Sequence, residues 1–158
     1  MSLQEIYQEV LLAHNEHPNN FFEMPDASSS AHGHNPLCGD EISVFLDLNG
    51  NEVKQISFTG QSCAICKSSA SLMTEYLKGK TADVAKKDAL AFIELLNDPE
   101  KAVPENLGEM EALLGVRKFP ARLKCATLAW HTFLKALEHP SDGNAAAGSC
   151  SCQHNCCC

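Results

Sequence analysis

Residues 41–60 read EISVFLDLNGNEVKQISFTG, and this stretch constrains the fold more than any other. Ile42, Val44, Leu46 and Leu48 alternate with polar residues, Asn49-Gly50 interrupts, and Val53, Ile56 and Phe58 follow. Alternation places one set of side chains on one face of a pleated strand. Asn-Gly between two such runs is a strong hairpin signal, because these residues accept the positive φ of a tight primed turn. A lone hairpin is barely stable, and its apolar face needs cover. Helices are therefore expected to pack on one side of the sheet.

Helical spacing flanks the hairpin. Residues 2–15 carry Leu3, Ile6, Tyr7, Val10 and Leu11 at helical intervals. Residues 63–78 carry Ile65, Leu72, Met73, Tyr76 and Leu77 and stop at Lys78-Gly79-Lys80, a helix ending. Thr81 is expected to cap a shorter helix, and residues 88–96 to form another that ends before Asn97-Asp98-Pro99. Pro120 opens the last long helix, with a stripe of Leu123, Thr127, Trp130, Leu134 and Leu137. The segment 17–37 is rich in Pro, Asn, Ser, Gly and His and reads as an irregular loop with room for a short edge strand.

The 158 residues suit one domain, taken as 1–140, followed by a Cys-rich tail at 141–158 expected to be disordered without metal. A net charge of -8 argues against nucleic acid, which needs clustered cations. No apolar run approaches the ~20 residues that span a bilayer. The start lacks the basic and apolar regions of a secretory signal, so the expectation is a cytoplasmic protein, where disulfides are rare. Nine cysteines in that setting point to metal or thiol chemistry.

Four of them lie in the body. Cys38 and Asp40 stand two apart in NPLCGDE, at the mouth of the first strand, and can aim sulfur and carboxylate at a common point. The bland alternative is a surface turn with an incidental thiol. Cys63 opens a helix, whose unpaired N–H groups favour a thiolate. Cys125 lies early in the last helix beside Arg122 and Lys124, and the same argument applies. Both could equally be small core residues. Three thiolates and one carboxylate make a complete zinc site, and thiolates also select iron–sulfur clusters. Weaker readings are a zinc deaminase through His14, Glu16 and Cys63-x-x-Cys66, a thioredoxin-like redox pair, and metal ligation by His32 and His34. The tail offers Cys150, Cys152, His154, Cys156, Cys157 and Cys158, a tract suited to soft metals or a reactive end with no defined task.

Together, NPLCGDEISVFL, GQSCAICKSSASLMTEYLKGK and FPARLKCATLAW resemble the U-type iron–sulfur assembly proteins, closest to their Suf-type branch. The opening LQEIYQEVLLAHNEHPNNF is similar to that branch too, so the resemblance spans about residues 2–138. It implies an α+β fold, a small three-stranded antiparallel sheet with helices packed on one face. It implies a metal site of Cys38, Asp40, Cys63 and Cys125. Lys124 stands where the Isc-type branch has a histidine, and residues 81–118 look like the Suf-type insertion. The Suf-type branch implies zinc; the Isc-type branch implies the alternative, iron or a [2Fe–2S] cluster. The resemblance also implies a cysteine desulfurase partner, and a downstream cluster scaffold or apo-protein as recipient. By the same resemblance Cys125 is the persulfide acceptor; the charge of Arg122, three residues before it, suggests a stabiliser of sulfur anions. Cys66 and the tail depart from the family pattern. Cys66 is open between an alternative ligand, a resolving thiol and a core residue.

Overall fold

The computed structural model describes residues 2–138. The tail, with Cys150, Cys152, His154, Cys156, Cys157 and Cys158, lies outside them. The chain runs α1 (Leu3–Glu16), β1 (Ser29–Asn35), β2 (Asp40–Asn49), β3 (Glu52–Gln61), α2 (Ala64–Leu77), α3 (Ala82–Asn97), a 3-10 helix (Gly108–Lys118) and α4 (Pro120–Glu138). The three strands form one antiparallel sheet in the order β1-β2-β3, and the helices pack on one face of it. No helix of the described residues is long and apolar enough to cross a membrane.

The hairpin forms, with its turn one residue later than the Asn-Gly signal places it. Asn49 pairs with Glu52, so the two-residue loop is Gly50-Asn51. Gly50 alone takes positive φ, at 64°, which is the demand of the first central position of a type II′ turn. The step from Val53 to Ile56 breaks strict alternation. A bulge explains it: Leu48 pairs with Val53 and Asp47 with Gln55, leaving Lys54 extra. That extra residue returns Val53, Ile56 and Phe58 to the face shared by Ile42, Val44 and Leu46, all at most 1% exposed.

The irregular segment does hide an edge strand. β1 pairs with β2 from Ser29↔Leu46 to Asn35↔Asp40. Its hydrophobic signal is weak because Ser29, Ala31, Gly33 and Asn35 supply its inward face. Thr81 does cap a helix, its hydroxyl accepting from the Val84 N–H. The two short helices expected there are one continuous helix, α3, because nothing between Val84 and Asp88 breaks it. The 3-10 helix was not legible. Tyr7 Oη donates to Glu111 at 2.5 Å, tying this segment to α1.

α4 lies between the sheet and α2 and α3, so its burial exceeds the single predicted stripe. Trp130, Phe133, Ala126 and Ala129 are fully buried, while Leu123, Leu134 and Leu137 pack at the margin. α2 is central as well, and its buried polar side chains are all bonded across to neighbours. Ser69 Oγ donates to the Ala126 carbonyl at 2.6 Å and accepts from Trp130 Nε1 at 2.9 Å. Ser68 Oγ donates to the Leu11 carbonyl at 2.7 Å. Small side chains let the helices approach, and bonding to these carbonyls satisfies hydroxyls that would otherwise be buried unpaired.

Candidate metal centre

Asp40 is the first residue of β2 and shares the inward face of Ile42, Val44 and Leu46. Strand alternation therefore aims a carboxylate at the edge of the core, where it is 2% exposed. Its Oδ1 accepts the backbone N–H of Cys63 at 2.8 Å, and its Oδ2 lies 3.7 Å from Cys63 Sγ. Cys63 is the N-cap of α2, but its side chain makes no cap hydrogen bond and is exposed. Gly60 makes this approach possible. A Cβ there would meet the Glu41 carbonyl oxygen at 2.2 Å, and its φ of 139° is one that side chains avoid.

Cys38 lies in the β1–β2 turn and is exposed; Cys125 lies in the second turn of α4 and is 4% exposed. Their sulfurs are 3.1 Å apart, and both cysteines are free thiols. Cys38, Asp40 and Cys125 each bring one ligand atom within 4.8 Å of the others, and this is the one such group among the described residues. Cys63 stands outside that trio but touches it through Asp40. The donor set fits a soft divalent ion. In a tetrahedral zinc site with Zn–S near 2.3 Å, ligand sulfurs sit roughly 3.8 Å apart. These thiols need only part by under an ångström or so to reach that spacing.

The Cys125 thiol is pushed well above its ordinary range, first by burial, then by hydrogen bonding with Cys38, Asp40 and Cys63. This reverses the expectation that Arg122 and Lys124 favour its thiolate. Both are exposed, and the Arg122 guanidinium lies 6.0 Å from the Phe119 ring centroid. Cys66 is 0% exposed and sits among core residues, apart from the trio. Burial pushes its thiol up to about 12, the charges of Asp40, Cys63 and Cys38 add to this, and a Ser62 hydrogen bond opposes it. His14 and Glu16 form no deaminase centre. His14 Nδ1 meets Ser71 Oγ at 2.7 Å and Nε2 meets Glu109 at 2.9 Å. His32 Nδ1 meets Ser43 Oγ at 3.1 Å, away from the sulfurs.

Two contributors carry only a weak signal in the sequence. Gly60 looks like an ordinary strand end, although a glycine inside a strand pattern does signal close backbone approach. Asn35 reads as turn chemistry before Pro36, yet its amide Nδ2 is 3.5 Å from Cys38 Sγ.

Residues 6–126 match the family model of the NifU-like N-terminal domain. The chain is 37% identical over 143 residues to the zinc-dependent sulfurtransferase SufU of Bacillus subtilis, covering 90% of this chain and 97% of that relative. It is 34% identical over 152 residues to the iron–sulfur cluster assembly scaffold protein IscU of Streptococcus pyogenes, covering 92% and 95%. A crystal structure from Fervidobacterium islandicum, described as an iron–sulfur cluster assembly scaffold protein for the SUF system, superposes with a TM-score of 0.76 at 27% identity. It covers 86% of this chain and 99% of that one. Family match, relatives and fold agree with the sulfur-lined geometry: this chain belongs to the NifU-like N-terminal domain family of iron–sulfur cluster assembly proteins.

Proposed function

We propose that this protein is a zinc-dependent sulfur acceptor, taking sulfane sulfur from a cysteine desulfurase onto Cys125. The observation that carries the reading is the convergence of Cys38, Asp40 and Cys125 within 4.8 Å. Likeness to a zinc-dependent sulfurtransferase supports it. Cys38, Asp40, Cys63 and Cys125 would hold the ion. Bound zinc would supply the positive charge that keeps clustered thiols deprotonated near neutral pH.

The chemistry on the chain's own residues is thiol–persulfide exchange. The Cys125 thiolate attacks the terminal sulfur of the desulfurase's cysteine persulfide. A sulfur–sulfur bond forms at Cys125 as the donor's bond breaks, and the donor cysteine leaves as thiolate. No oxidant is required, since the transferred sulfur keeps its oxidation state. Cys125 is 4% exposed with Cys38 Sγ at 3.1 Å, so Cys38 must swing aside to admit the donor. Arg122, exposed and three residues before Cys125 in the chain, would offset the negative charge of a persulfide held among anionic ligands. The setting is the cytoplasm, where thiols stay reduced, and sulfur passes on to a cluster scaffold or apo-protein.

A second reading makes the site a platform for a [2Fe–2S] cluster, favoured by likeness to a cluster assembly scaffold and by the same thiol set. Purification without oxygen separates the two. The acceptor reading expects colourless protein with one tightly held zinc at the site. Visible sulfur-to-iron absorption that disappears in Cys63→Ala would establish the scaffold instead. Cys125→Ser is expected to abolish stimulation of a desulfurase, and persulfide mapping to find the label on Cys125. Label confined to Cys66 or the tail overturns the assignment.

A further inference from the structure

The geometry points to Asn35 as a positioning residue that holds the Cys38 loop and tunes its sulfur through an N–H···S hydrogen bond. The inference rests on the metal-site reading above and adds a residue to it. Asn35 ends β1, is 7% exposed, and pairs across the sheet with Asp40. Its backbone carbonyl accepts from the N–H groups of Cys38 at 3.2 Å and Gly39 at 2.8 Å. Its side-chain Oδ1 accepts from the Leu37 N–H at 3.1 Å. That last bond fixes which way the amide faces, because only its oxygen can accept a backbone N–H. The amide nitrogen is then left to donate, and it meets Cys38 Sγ at 3.5 Å.

One residue thus grips the excursion from β1 to β2 by main chain and side chain, and touches one ligand while pairing with another. A buried amide is costly unless bonded, so the contact to sulfur satisfies Asn35 as well as the thiolate. Groups that hydrogen-bond a metal ligand orient it and set its donor strength. Their loss typically weakens metal binding about 10–100-fold.

The test uses the full chain with Cys150, Cys152, Cys156, Cys157 and Cys158 changed to serine, so that only the body's cysteines report, and cobalt(II) and zinc(II) as probes. Asn35→Asp keeps the acceptor for Leu37 N–H and removes the donor to sulfur. Asn35→Ala removes the same donor, together with the acceptor, without adding charge. Both are expected to move the sulfur-to-cobalt charge-transfer band to longer wavelength, since a thiolate without its N–H donor gives electrons more readily. Both are also expected to weaken zinc about 10–100-fold in chelator competition. A residue that only stabilised the loop would change thermal unfolding and leave the band energy where it was. An unmoved band with unchanged zinc affinity overturns the inference. So does an effect confined to Asn35→Asp, which would be charge alone. Failure of the unsubstituted Asn35 protein to bind cobalt through sulfur would overturn the metal-site reading itself.

Discussion

Cys63 and Cys66 stand one helical turn apart and face opposite environments. Cys63 caps α2 from outside the helix, exposed and within 3.7 Å of Asp40 Oδ2. Cys66 is helical, and the turn carries its side chain into the core. Its thiol goes from an ordinary 9.0 to about 12 because burial penalises the thiolate. The unfolded chain then sheds this proton first as pH rises. The stabilisation is complete below pH 9.0 and is lost towards about 12. Within that window the metal-free protein is expected to lose up to about 1.4 kcal/mol per pH unit through this group. Cys66→Ala should flatten the alkaline limb of a denaturant-stability curve relative to wild type, Cys125 contributing equally in both. An unchanged slope would mean that Cys66 ionises freely.

At the scale of elements, the site depends on three segment ends meeting: the β1–β2 turn, the β3–α2 junction and the first turns of α4. Gly60 governs the second. Gly60→Ala would press a Cβ to 2.2 Å from the Glu41 carbonyl and 2.8 Å from Ile42 Cα. The expected cost is more than about 2 kcal/mol in chemical denaturation, with weakened metal binding because Cys63 follows this residue closely. Wild-type stability would show that β2 and β3 can spread without cost. Arg122 belongs to the third junction. Arg122→Ala is expected to slow sulfur transfer from a desulfurase while leaving zinc content unchanged. Zinc loss in that variant would instead make the side chain structural.

Over the whole molecule, the sheet and α4 hold the centre at the end where α4 begins, and the tail comes after α4 in the sequence. The tail's six Cys and His residues read as soft-metal ligands from composition alone. Full chain is therefore expected to bind extra equivalents of cadmium that vanish when the five tail cysteines become serine. Equal stoichiometry in the two proteins would remove the tail from metal capture.

The hairpin, α1, α2, α4 and the cover on one face of the sheet are legible in the sequence, since period-2 and period-3.6 patterns are local properties of a chain seeking one apolar face. Local pattern could not show the bulge at Lys54, the continuity of α3 or the 3-10 helix, which depend on pairing and packing with distant segments. The ligand residues could be nominated from motifs, because residue type and turn chemistry are written in order along the chain. Their meeting could not. Cys38 and Cys125 are separated by 87 positions, and only the packing of α4 against β1 and β2 brings their sulfurs to 3.1 Å. The same packing decided that Cys125 is held protonated by burial in the absence of a cation, against the local promise of Arg122 and Lys124. Desolvation is set by what surrounds a side chain in space, and sequence neighbours say little about that.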